Sequence, residues 1–387
     1  YVLPIETLEK AVLSKRPAPQ EKLPETADSV EIDFAPAAIA REKFPFSRWQ
    51  RTMKFCLEQP KALLRTPPEG DPGLRAAVAT YLYEERGVVC CPEQIIIGAG
   101  TDSLLEILGF ILENRVALAV EDPVYNQAYR LFSRMGHQVI PAKMDKLGVM
   151  VEPLEQLDYL LLYTTPSHQY PLGGSMPVGR RTQLLNWAGR GEFRYIIEDD
   201  YDSEFRYDAK PVPSLQSIDQ NERVIYLSSF SRSIAPGLRL SVMVLPPALL
   251  EIYHAQYAGF ASRVSTIEQL TLGEFIRQGY FERHLNRMKT YYKNKCNRLL
   301  QGLRPLQEQM ELVGEMAGQH LTLALKNGLE EDDLCRRASE VGVKVYPVSP
   351  FYILPPERCN MVLLGFAGLG DQELDEGTRR LVSVWKL

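Results

Sequence analysis

The feature that most constrains the fold is a series of short apolar segments that alternate with helical patterns between residues 94 and 244. Segments such as VALAV (116–120) and YLLLY (159–163) are too short for helices and carry no charged residue on either face. Strands that are apolar along their whole length are buried on both faces. The alternation therefore predicts an α/β fold with a mostly parallel sheet, whose ligands bind beyond the carboxyl ends of the strands. The expected strands are 94–97, 116–120, 138–142, 159–163, 194–197, 224–227 and 240–244, and the expected helices are 74–86, 101–112, 126–135 and 177–190.

The C-terminal third has a different order of elements. One long helix or two helices are expected over 262–300, and the strands and helices that follow do not alternate regularly. This order predicts a smaller α+β domain after the large one. The Pro-rich, charged segment 15–25 is typical of a linker. We therefore divide the chain into a linker end and N-terminal arm (1–43), a large ligand-binding domain (44–285) and a small domain (286–387). The strands expected in the last part are 321–325, 343–346 and 361–366, and the helices are 331–341 and 371–384.

Composition argues against several classes of function. The 387 residues carry a net charge of −5 with acids and bases interspersed, which argues against nucleic acid as the main partner of this chain. No apolar run reaches the length of about 18 residues that a membrane span requires, so no membrane contact is expected. Six scattered cysteines predict a reducing, cytoplasmic setting. Five histidines without metal-ligand spacing predict no metal site.

Two stretches at strand ends can hold an anion. GAGTD (98–102) joins a strand to a helix, and the free N–H groups of the helix start, with the Thr101 hydroxyl, suit a phosphate. A Gly-Thr start is also ordinary helix capping. The stretch YLSSFSRSIAPGLRLSVM (226–243) supplies hydroxyl donors and Arg239, which can grip a phosphate with two donors.

Two further strand ends carry acids and an aromatic residue. The row EDDY (198–201) follows a buried strand, where carboxylates are unfavourable unless they face water or a cation. A pyridinium nitrogen is one such cation, and solvent or a metal ion is the alternative. Tyr125 follows the strand at 116–120 and can either stack on a ligand ring or pack in the core.

The order of these motifs resembles the pyridoxal 5′-phosphate (PLP) site of fold-type I aminotransferases. In both, Gly-x-Gly-Thr is followed by an aromatic residue, Thr-Pro-Ser, Asp-x-Tyr and a Ser-x-Ser stretch that leads to Pro-Gly-Leu-Arg. TPSHQYP (165–171) and EDDYDSEFRY (198–207) resemble more specifically the aminotransferase-like domain of MocR-type transcription regulators in the GntR family. Matching stretches run from DFAPAAIAREKFPFSRW (33–49) to LLGFAGLGDQELDEGTRRL (363–381), so the resemblance covers nearly the whole chain.

The resemblance implies a role for each matching residue. The expected fold is a fold-type I PLP aminotransferase-like α/β domain with a smaller α+β domain. Asp199 is expected to pair with the pyridine nitrogen, and Tyr201 with the ring oxygen. Tyr125 is expected to stack on the ring, and His168 to lie near it. The residues implied in phosphate binding are Gly100, Thr101, Asp102 (through its backbone), Ser229, Ser231 and Arg239.

The chain departs from the family pattern at the lysine that forms the imine with PLP. Arg232 stands at that place in SFSR (229–232). A guanidinium stays protonated and is no amine nucleophile, so it cannot form the imine or shuttle a proton as a lysine does. Transamination by the usual route is therefore not expected. PLP is expected to bind non-covalently or as an external aldimine already made with an amine ligand. Both a natural substitution and an engineered one are compatible with the sequence.

The resemblance also implies a homodimer with shared active sites. Ser265 and Thr266 are expected to reach the phosphate in the neighbouring subunit. Arg65 stands near the place of a tyrosine that has the same task in aminotransferases, so it is either a phosphate cation or an exposed residue.

The residues that would bind the effector are less clearly marked. Aminotransferases carry a carboxylate-binding arginine inside the last strand, where this chain has Leu363. Arg358 is the nearest candidate, and a surface arginine is the alternative. Gln127 also suggests a polar or carboxylate-bearing ligand.

The function best supported by the sequence is the effector-sensing domain of a PLP-dependent MocR-type regulator. It would bind PLP and an amine or amino-acid-like effector, and would contact DNA only through a winged helix-turn-helix preceding Tyr1. Ligand binding would move the small domain against the large one. The alternative is a stand-alone PLP aminotransferase whose Schiff-base lysine is replaced by Arg232. A third interpretation is a scaffold that keeps the fold without PLP.

Overall fold

The computed structural model describes residues 30–112, 116–157, 159–207, 212–257, 259–314 and 316–386, and the predicted linker at 15–25 lies outside them. The strands are β1 (Ile32–Asp33), β2 (Ile95–Gly98), β3 (Ala117–Glu121), β4 (Val139–Ala142), β5 (Met144–Asp145), β6 (Gly148–Val149), β7 (Tyr159–Thr164), β8 (Phe193–Asp200), β9 (Val224–Ser229), β10 (Ser241–Val244), β11 (Met310–Val313), β12 (His320–Leu325), β13 (Val343–Lys344), β14 (Tyr346–Pro347) and β15 (Met361–Gly365). The helices are α1 (Phe46–Leu57), α2 (Pro72–Arg86), α3 (Thr101–Leu112), α4 (Asn126–Arg134), α5 (Val178–Arg190), α6 (Phe230–Ser233), α7 (Pro247–Tyr257), α8 (Thr266–Arg277), α9 (Tyr280–Leu303), α10 (Glu331–Glu340) and α11 (Asp371–Trp385).

A seven-stranded sheet with the order β2-β10-β9-β8-β7-β3-β4 organises the first two thirds of the chain. Strands β4, β3, β7, β8 and β9 pair in parallel, and β10 runs antiparallel between β9 and β2. The predicted α/β fold with a mostly parallel sheet is confirmed, and so is each strand expected between residues 94 and 244.

The apolar runs place helices on both faces of this sheet. Leu161 and Ile197 pack in a cluster with side chains of α3, α4 and α7. Leu160, Leu162 and Ile196 pack in another cluster with α5. Because successive residues of a strand point to opposite faces, a sheet between two helical layers needs an unbroken apolar run.

A second sheet, of order β11-β12-β15-β14, is antiparallel throughout and forms the predicted smaller α+β part with α10 and α11. The helical stretch expected over 262–300 is two helices, α8 and α9, separated by Gly279 at a φ of +65°. Helix α9 runs without interruption past the predicted domain boundary at 285/286, and the division into domains stays a prediction. The sequence patterns missed α7 and β11.

The N-terminal arm, where it is described, packs on the C-terminal part of the chain. Ile32 of β1 pairs in parallel with Val343 of β13. The N–H of Gly365, at the end of β15, donates to the carbonyl of Phe34 at 2.8 Å. These contacts lead residues 35–39 towards the seven-stranded sheet.

The carboxyl ends of β3, β7, β8 and β9 meet at one edge of the seven-stranded sheet, where Asp200 lies opposite Ser228. The start of α3 reaches the same edge, because Gly98 lies opposite Ser241 and Ser241 lies opposite Ser229. The motifs that were far apart in the sequence therefore converge here.

Within the described ranges, no helix combines the length and the apolar character needed to cross a membrane. The same part of the chain contains no group of three or more His, Cys, Asp or Glu side chains placed to hold a metal ion.

Candidate functional site

A cavity of about 240 Å³ lies at the carboxyl edge of the seven-stranded sheet. Nine of the residues predicted to bind a cofactor or its phosphate come together on its wall, from five different strand ends and helix starts. The residues that line the cavity are Ala37, Thr101, Asp102, Tyr125, Tyr163, Thr165, Tyr170, Asp199, Tyr201, Ser229, Ser231, Arg232, Pro236 and Arg239.

The acids at the end of β8 have different surroundings. Glu198 lies 3.7 Å from Arg181 and accepts hydrogen bonds from the N–H groups of residues 215 and 216. Asp200 accepts a hydrogen bond from Nε of Arg86 at 2.6 Å. Alternate residues of a strand share a face, so these two carboxylates lie together on the side away from the cavity. Their charge is compensated inside the protein.

Asp199 is the acid of this row that lines the cavity. Its Oδ2 accepts a hydrogen bond from the Tyr163 hydroxyl, while its Oδ1 is buried without a hydrogen-bond partner among the described residues. Burial and neighbouring carboxylates raise the pKa of Asp199 to about 7, although the bond from Tyr163 opposes this shift. A buried carboxylate with a free acceptor oxygen fits a ligand that presents a cationic N–H, as a protonated pyridine nitrogen does.

An anion cradle is formed by the turn before α3 and the stretch after β9. Gly100 has a φ of +90°, and a Cβ at this position would lie 2.3 Å from Nη2 of Arg239. The guanidinium therefore covers the glycine backbone. Ser229 and Ser231 are adjacent, since the Ser231 N–H donates to Oγ of Ser229 at 3.2 Å. The first N–H groups of α3, beginning at Thr101, have no acceptor within the helix, and beside a cation they suit a phosphate.

Asp102 and Tyr125 form the side of the cavity next to this cradle. Oδ2 of Asp102 lies 3.3 Å from Nη2 of Arg239, and the Tyr125 hydroxyl donates to Oδ1 of Asp102 at 3.5 Å. The ring of Tyr125 meets that of Tyr170 edge to face, with centroids 6.1 Å apart. Burial raises the pKa of Tyr125, so its phenol stays neutral and its ring is available as an apolar wall.

Tyr201 lines the cavity, and residues on the side away from the cavity hold its side chain in place. Its hydroxyl lies 2.9 Å from Nδ1 of His168, and the same nitrogen lies 3.0 Å from both carboxylate oxygens of Asp202. The rings of His168 and Tyr201 are stacked, with centroids 5.9 Å apart. His168 thus lies behind Tyr201 and does not line the cavity. From this place it positions the phenol.

Arg232 lies on the short helix α6 and lines the cavity. Its Nη1 donates to the carbonyl of Pro36 at 2.5 Å, and its own carbonyl accepts a hydrogen bond from Nε2 of Gln319 at 3.0 Å. Ala37, the residue after Pro36, also lines the cavity. Arg232 therefore connects the cavity with both the N-terminal arm and the smaller sheet. Among the described residues that line the cavity, none is a lysine.

Buried side chains behind the cavity fix the positions of its walls. Nη2 of Arg86 donates to Oγ of Ser167 at 2.7 Å. Glu121 accepts hydrogen bonds from the hydroxyls of Thr164 and Thr165 at 2.5 and 2.9 Å. These groups hold the loop TPSHQYP (165–171) against the ends of β3 and β8.

Several residues of the site were missed by the sequence patterns. The hydroxyl of Tyr163 reaches Asp199 from the end of an apolar run, and a tyrosine in that position was the local signal for it. Arg86 is separated by 114 residues from its partner Asp200, so no local pattern pointed to it. Thr165, Tyr170 and Pro236 stood in motifs that carried the resemblance but were given no role, and Ala37 of the N-terminal arm was given none either.

The remaining predicted residues lie elsewhere. Arg65, Ser265 and Thr266 line a separate surface cleft of about 400 Å³. Gln127 is exposed and does not line the cavity. The side chain of Arg358 is 87% exposed and pairs with a neighbouring glutamate at 3.1 Å. The structure therefore does not bring Arg358 or Gln127 to the cavity.

Comparison with known proteins finds transcription regulators among the sequence relatives. The chain is 41% identical over 359 residues to the uncharacterized HTH-type transcriptional regulator YdeL of Bacillus subtilis, across 92% of this chain and 77% of YdeL. It is 33% identical over 360 residues to the probable rhizopine catabolism regulatory protein MocR of Rhizobium meliloti, across 92% of this chain and 72% of MocR. No protein-family model matches the chain.

Among solved structures, the fold is similar to that of LysN, the α-aminoadipate aminotransferase of Thermus thermophilus. The TM-score is 0.79, with 28% identity and 92% of each chain covered. That structure is complexed with N-(5′-phosphopyridoxyl)-L-leucine. The expected fold-type I aminotransferase-like architecture is confirmed by this likeness.

Proposed function

This chain belongs to the MocR-type transcription regulators of the GntR family, and we propose that it binds PLP and senses an amine or amino-acid-like effector in the cavity described above. One observation carries the proposal. The cavity keeps a buried acid, aromatic walls and an anion cradle, but none of the described residues on its wall is a lysine. Without a nucleophilic amine, such a cavity can hold a ligand but cannot begin transamination by the usual route.

The residues around the cavity fit PLP in four places. Asp199 would hold the pyridine nitrogen with its unpartnered Oδ1. Tyr201 would bond the ring oxygen, and Tyr125 would stack on the ring. When bound, PLP supplies an aldehyde that reacts with amines and a ring that withdraws electrons. The phosphate would lie in the cradle made by Gly100, Thr101, Asp102, Ser229, Ser231 and Arg239.

The chemistry left to the protein is binding and orientation. A guanidinium remains protonated in proteins, so Arg232 neither attacks a carbonyl nor accepts a proton. Asp199 keeps a hydrogen-bond acceptor at the ring nitrogen, and His168 orients Tyr201 through its hydroxyl. The site would thus bind and orient its ligand without converting it.

The N-terminal arm is in a position to respond to the ligand. Arg232 donates to Pro36, Ala37 lines the cavity, and Ile32 pairs with Val343 of the smaller part. We infer that ligand binding moves this arm and the smaller part relative to the seven-stranded sheet. DNA binding through a winged helix-turn-helix of the complete protein would respond to that motion. The relatives YdeL and MocR are regulators by name, which supports such a coupling.

We also infer that the chain acts as a homodimer. The cleft that contains Arg65, Ser265 and Thr266 lies on the surface, away from the cavity of the same chain. Leu63 and Leu64 beside it are 87% and 65% exposed. Exposed apolar groups next to a cation and hydroxyls are typical of an interface. In a dimer, these groups would complete the anion cradle of the partner.

Ligand binding tests the proposal directly. Pyridoxamine 5′-phosphate, which keeps the ring and phosphate but needs no lysine, is expected to stabilise the protein by about 2.7 kcal/mol at a concentration of 100 times its Kd. The measurement is thermal unfolding at fixed protein concentration. If neither this compound nor PLP stabilises the chain, it is a scaffold that keeps the fold without the cofactor, and the proposal is wrong.

A stand-alone aminotransferase that has lost its lysine is the second candidate, and the likeness to LysN favours it. The variant Arg232→Lys separates the two functions. A sensor should then bind PLP covalently, with a visible absorption band, and show little multiple-turnover transamination of amino acids. Sustained turnover by this variant would support the enzyme.

A further inference from the structure

Arg232 carries a positive charge that has no anionic partner among the residues the structure describes. Among the described residues, no carboxylate forms an ion pair with its guanidinium, which donates instead to the neutral carbonyl of Pro36. The other arginine on the cavity wall, Arg239, pairs with Asp102 at 3.3 Å. A half-buried guanidinium that lines a cavity and forms no ion pair with a described carboxylate is an available site for an anion.

The groups around Arg232 are neutral. Burial raises the pKa values of Tyr170 and Tyr201, although the charge of Arg232 acts in the opposite direction. Burial also holds the pKa of His320 well below its usual range, and the charges of His168 and Arg232 add to this effect. These phenols and the imidazole are therefore uncharged near neutral pH. They do not compensate the guanidinium.

Among the described residues, neither carboxylate of the cavity wall forms an ion pair with Arg232. Asp102 pairs with Arg239 and accepts a hydrogen bond from Tyr125. Asp199 accepts a hydrogen bond from Tyr163 with Oδ2, and its Oδ1 is the oxygen that would hold the pyridine nitrogen. A negative charge next to Arg232 must then come from the ligand.

We propose that Arg232 binds the carboxylate of the ligand, so that the cavity prefers a phosphopyridine already joined to an amino acid over one that carries no carboxylate. This inference rests on the proposed binding of PLP. The conjugate forms outside the protein: the amine nitrogen of the amino acid bonds to the aldehyde carbon of PLP, and the carbonyl oxygen leaves as water. No oxidant or reductant is needed. An arginine in place of the lysine removes the covalent bond to PLP. The same arginine would make the cavity selective for ligands that carry a carboxylate.

This assignment replaces the sequence-based expectation for Arg358. That side chain is 87% exposed, pairs with Glu330 and does not line the cavity. Arg232 lies on the wall itself, between the acid-bearing strand end and the N-terminal arm. A ligand carboxylate on Arg232 would also compete with the carbonyl of Pro36 for the guanidinium.

Two stable conjugates test the inference. N-(5′-phosphopyridoxyl)-L-leucine carries the carboxylate, and the conjugate of 3-methylbutylamine is the same molecule without it. Because a hydrogen bond to a charged group contributes about 1.5–3 kcal/mol, calorimetry of the unmodified protein should show the leucine conjugate binding about 10-fold more tightly or better. In Arg232→Met the ratio of the two affinities should fall to about one, while Arg232→Lys should retain part of it because the charge is kept.

The controls separate the possible failures. Arg358→Met should leave the ratio of the two affinities unchanged. A loss of the ratio in this variant would assign the ligand carboxylate to Arg358 instead.

Equal binding of the two conjugates by the unmodified protein would overturn the role of Arg232 but not the proposed function. Failure of both conjugates and of pyridoxamine 5′-phosphate to bind would overturn the proposed function itself. If Arg232→Met does not fold, Arg232→Gln serves as the neutral variant.

Discussion

The carboxylates on the two faces of strand β8 have opposite surroundings. On the inner face, Glu198 and Asp200 are surrounded by Arg181, Arg86 and backbone N–H groups. On the cavity face, Asp199 keeps one buried oxygen without a partner among the described residues. Compensated charges fix the position of the strand end, whereas an uncompensated charge is reserved for a ligand.

The arginines show the same contrast. Arg86 is buried, donates to Asp200 and Ser167, and belongs to the framework. Burial acts to lower its pKa, but the charge and hydrogen bond of Asp200, with Tyr226 and Glu198, together raise it. Arg232 lines the cavity and donates only to a carbonyl among the described residues. We expect a compensated arginine such as Arg86 to support stability, and an uncompensated one such as Arg232 to support ligand binding.

The largest effect is expected for Arg86→Met. Removing this guanidinium leaves Asp200 buried without the cation to which it is hydrogen-bonded, which should lower the free energy of unfolding by about 3–5 kcal/mol. Urea denaturation at fixed protein concentration measures the change. As a control, Arg190→Met removes an arginine whose pair with Glu155 is exposed, and should change stability by less than about 1 kcal/mol. Similar effects of the two substitutions would contradict the assignment of Arg86 to the buried framework.

Asp199→Asn should weaken binding while it stabilises the ligand-free protein. The affinity for pyridoxamine 5′-phosphate should fall by about 10- to 100-fold, since the amide removes the charge that faces the ring nitrogen. Calorimetry at neutral pH checks this loss. An unchanged affinity would show that Asp199 does not contact the ring nitrogen.

The pH dependence of stability gives a second test of Asp199. Its pKa is raised from 3.8 to about 7, so between these values the folded state holds a proton that the unfolded state releases. The contribution of Asp199 is therefore most favourable below its ordinary pKa and is lost as the pH rises through about 7. Asp199→Asn lacks this titration. Its stability relative to the unmodified protein should increase between about pH 4 and about pH 7, and a constant difference would rule out the raised pKa.

A smaller effect is expected for Gly100→Ala. The added Cβ would lie 2.3 Å from Nη2 of Arg239 at a φ of +90°, so the guanidinium must leave its place in the cradle. We expect the affinity for pyridoxamine 5′-phosphate to fall by about 10-fold. Gly179→Ala is the matched control, because nothing lies within 4 Å of its Cβ position, and it should not alter binding. Equal affinity of the two variants would show that Arg239 is not part of the phosphate site.

Much of the fold could be predicted because it depends on local patterns. Unbroken apolar runs specify strands buried on both faces, and the order of the runs specifies a mostly parallel sheet. The limits of prediction are equally physical. Helix α7 and strand β11 carry weak periodicity, and the break between α8 and α9 depends on a single glycine at positive φ.

In the candidate site, residues that could be predicted from local motifs differ clearly from those that could not. Asp199, Tyr201 and Arg239 stand in motifs with recognisable spacing. The contacts of Arg86 and Pro36 could not be predicted, because their partners lie 114 and 196 residues away along the chain. Arg358 was suggested by its distance from a strand in the sequence, yet its side chain is in solvent.

The sequence by itself determined the layered fold, the family resemblance and the absence of an amine at residue 232, because these depend on residue type and order. Only the tertiary structure decided which cations compensate the two flanking acids, Glu198 and Asp200, and which arginine of the cavity wall has no anionic partner among the described residues. Charge compensation depends on distances between segments that are remote in the chain, and local sequence does not encode those distances.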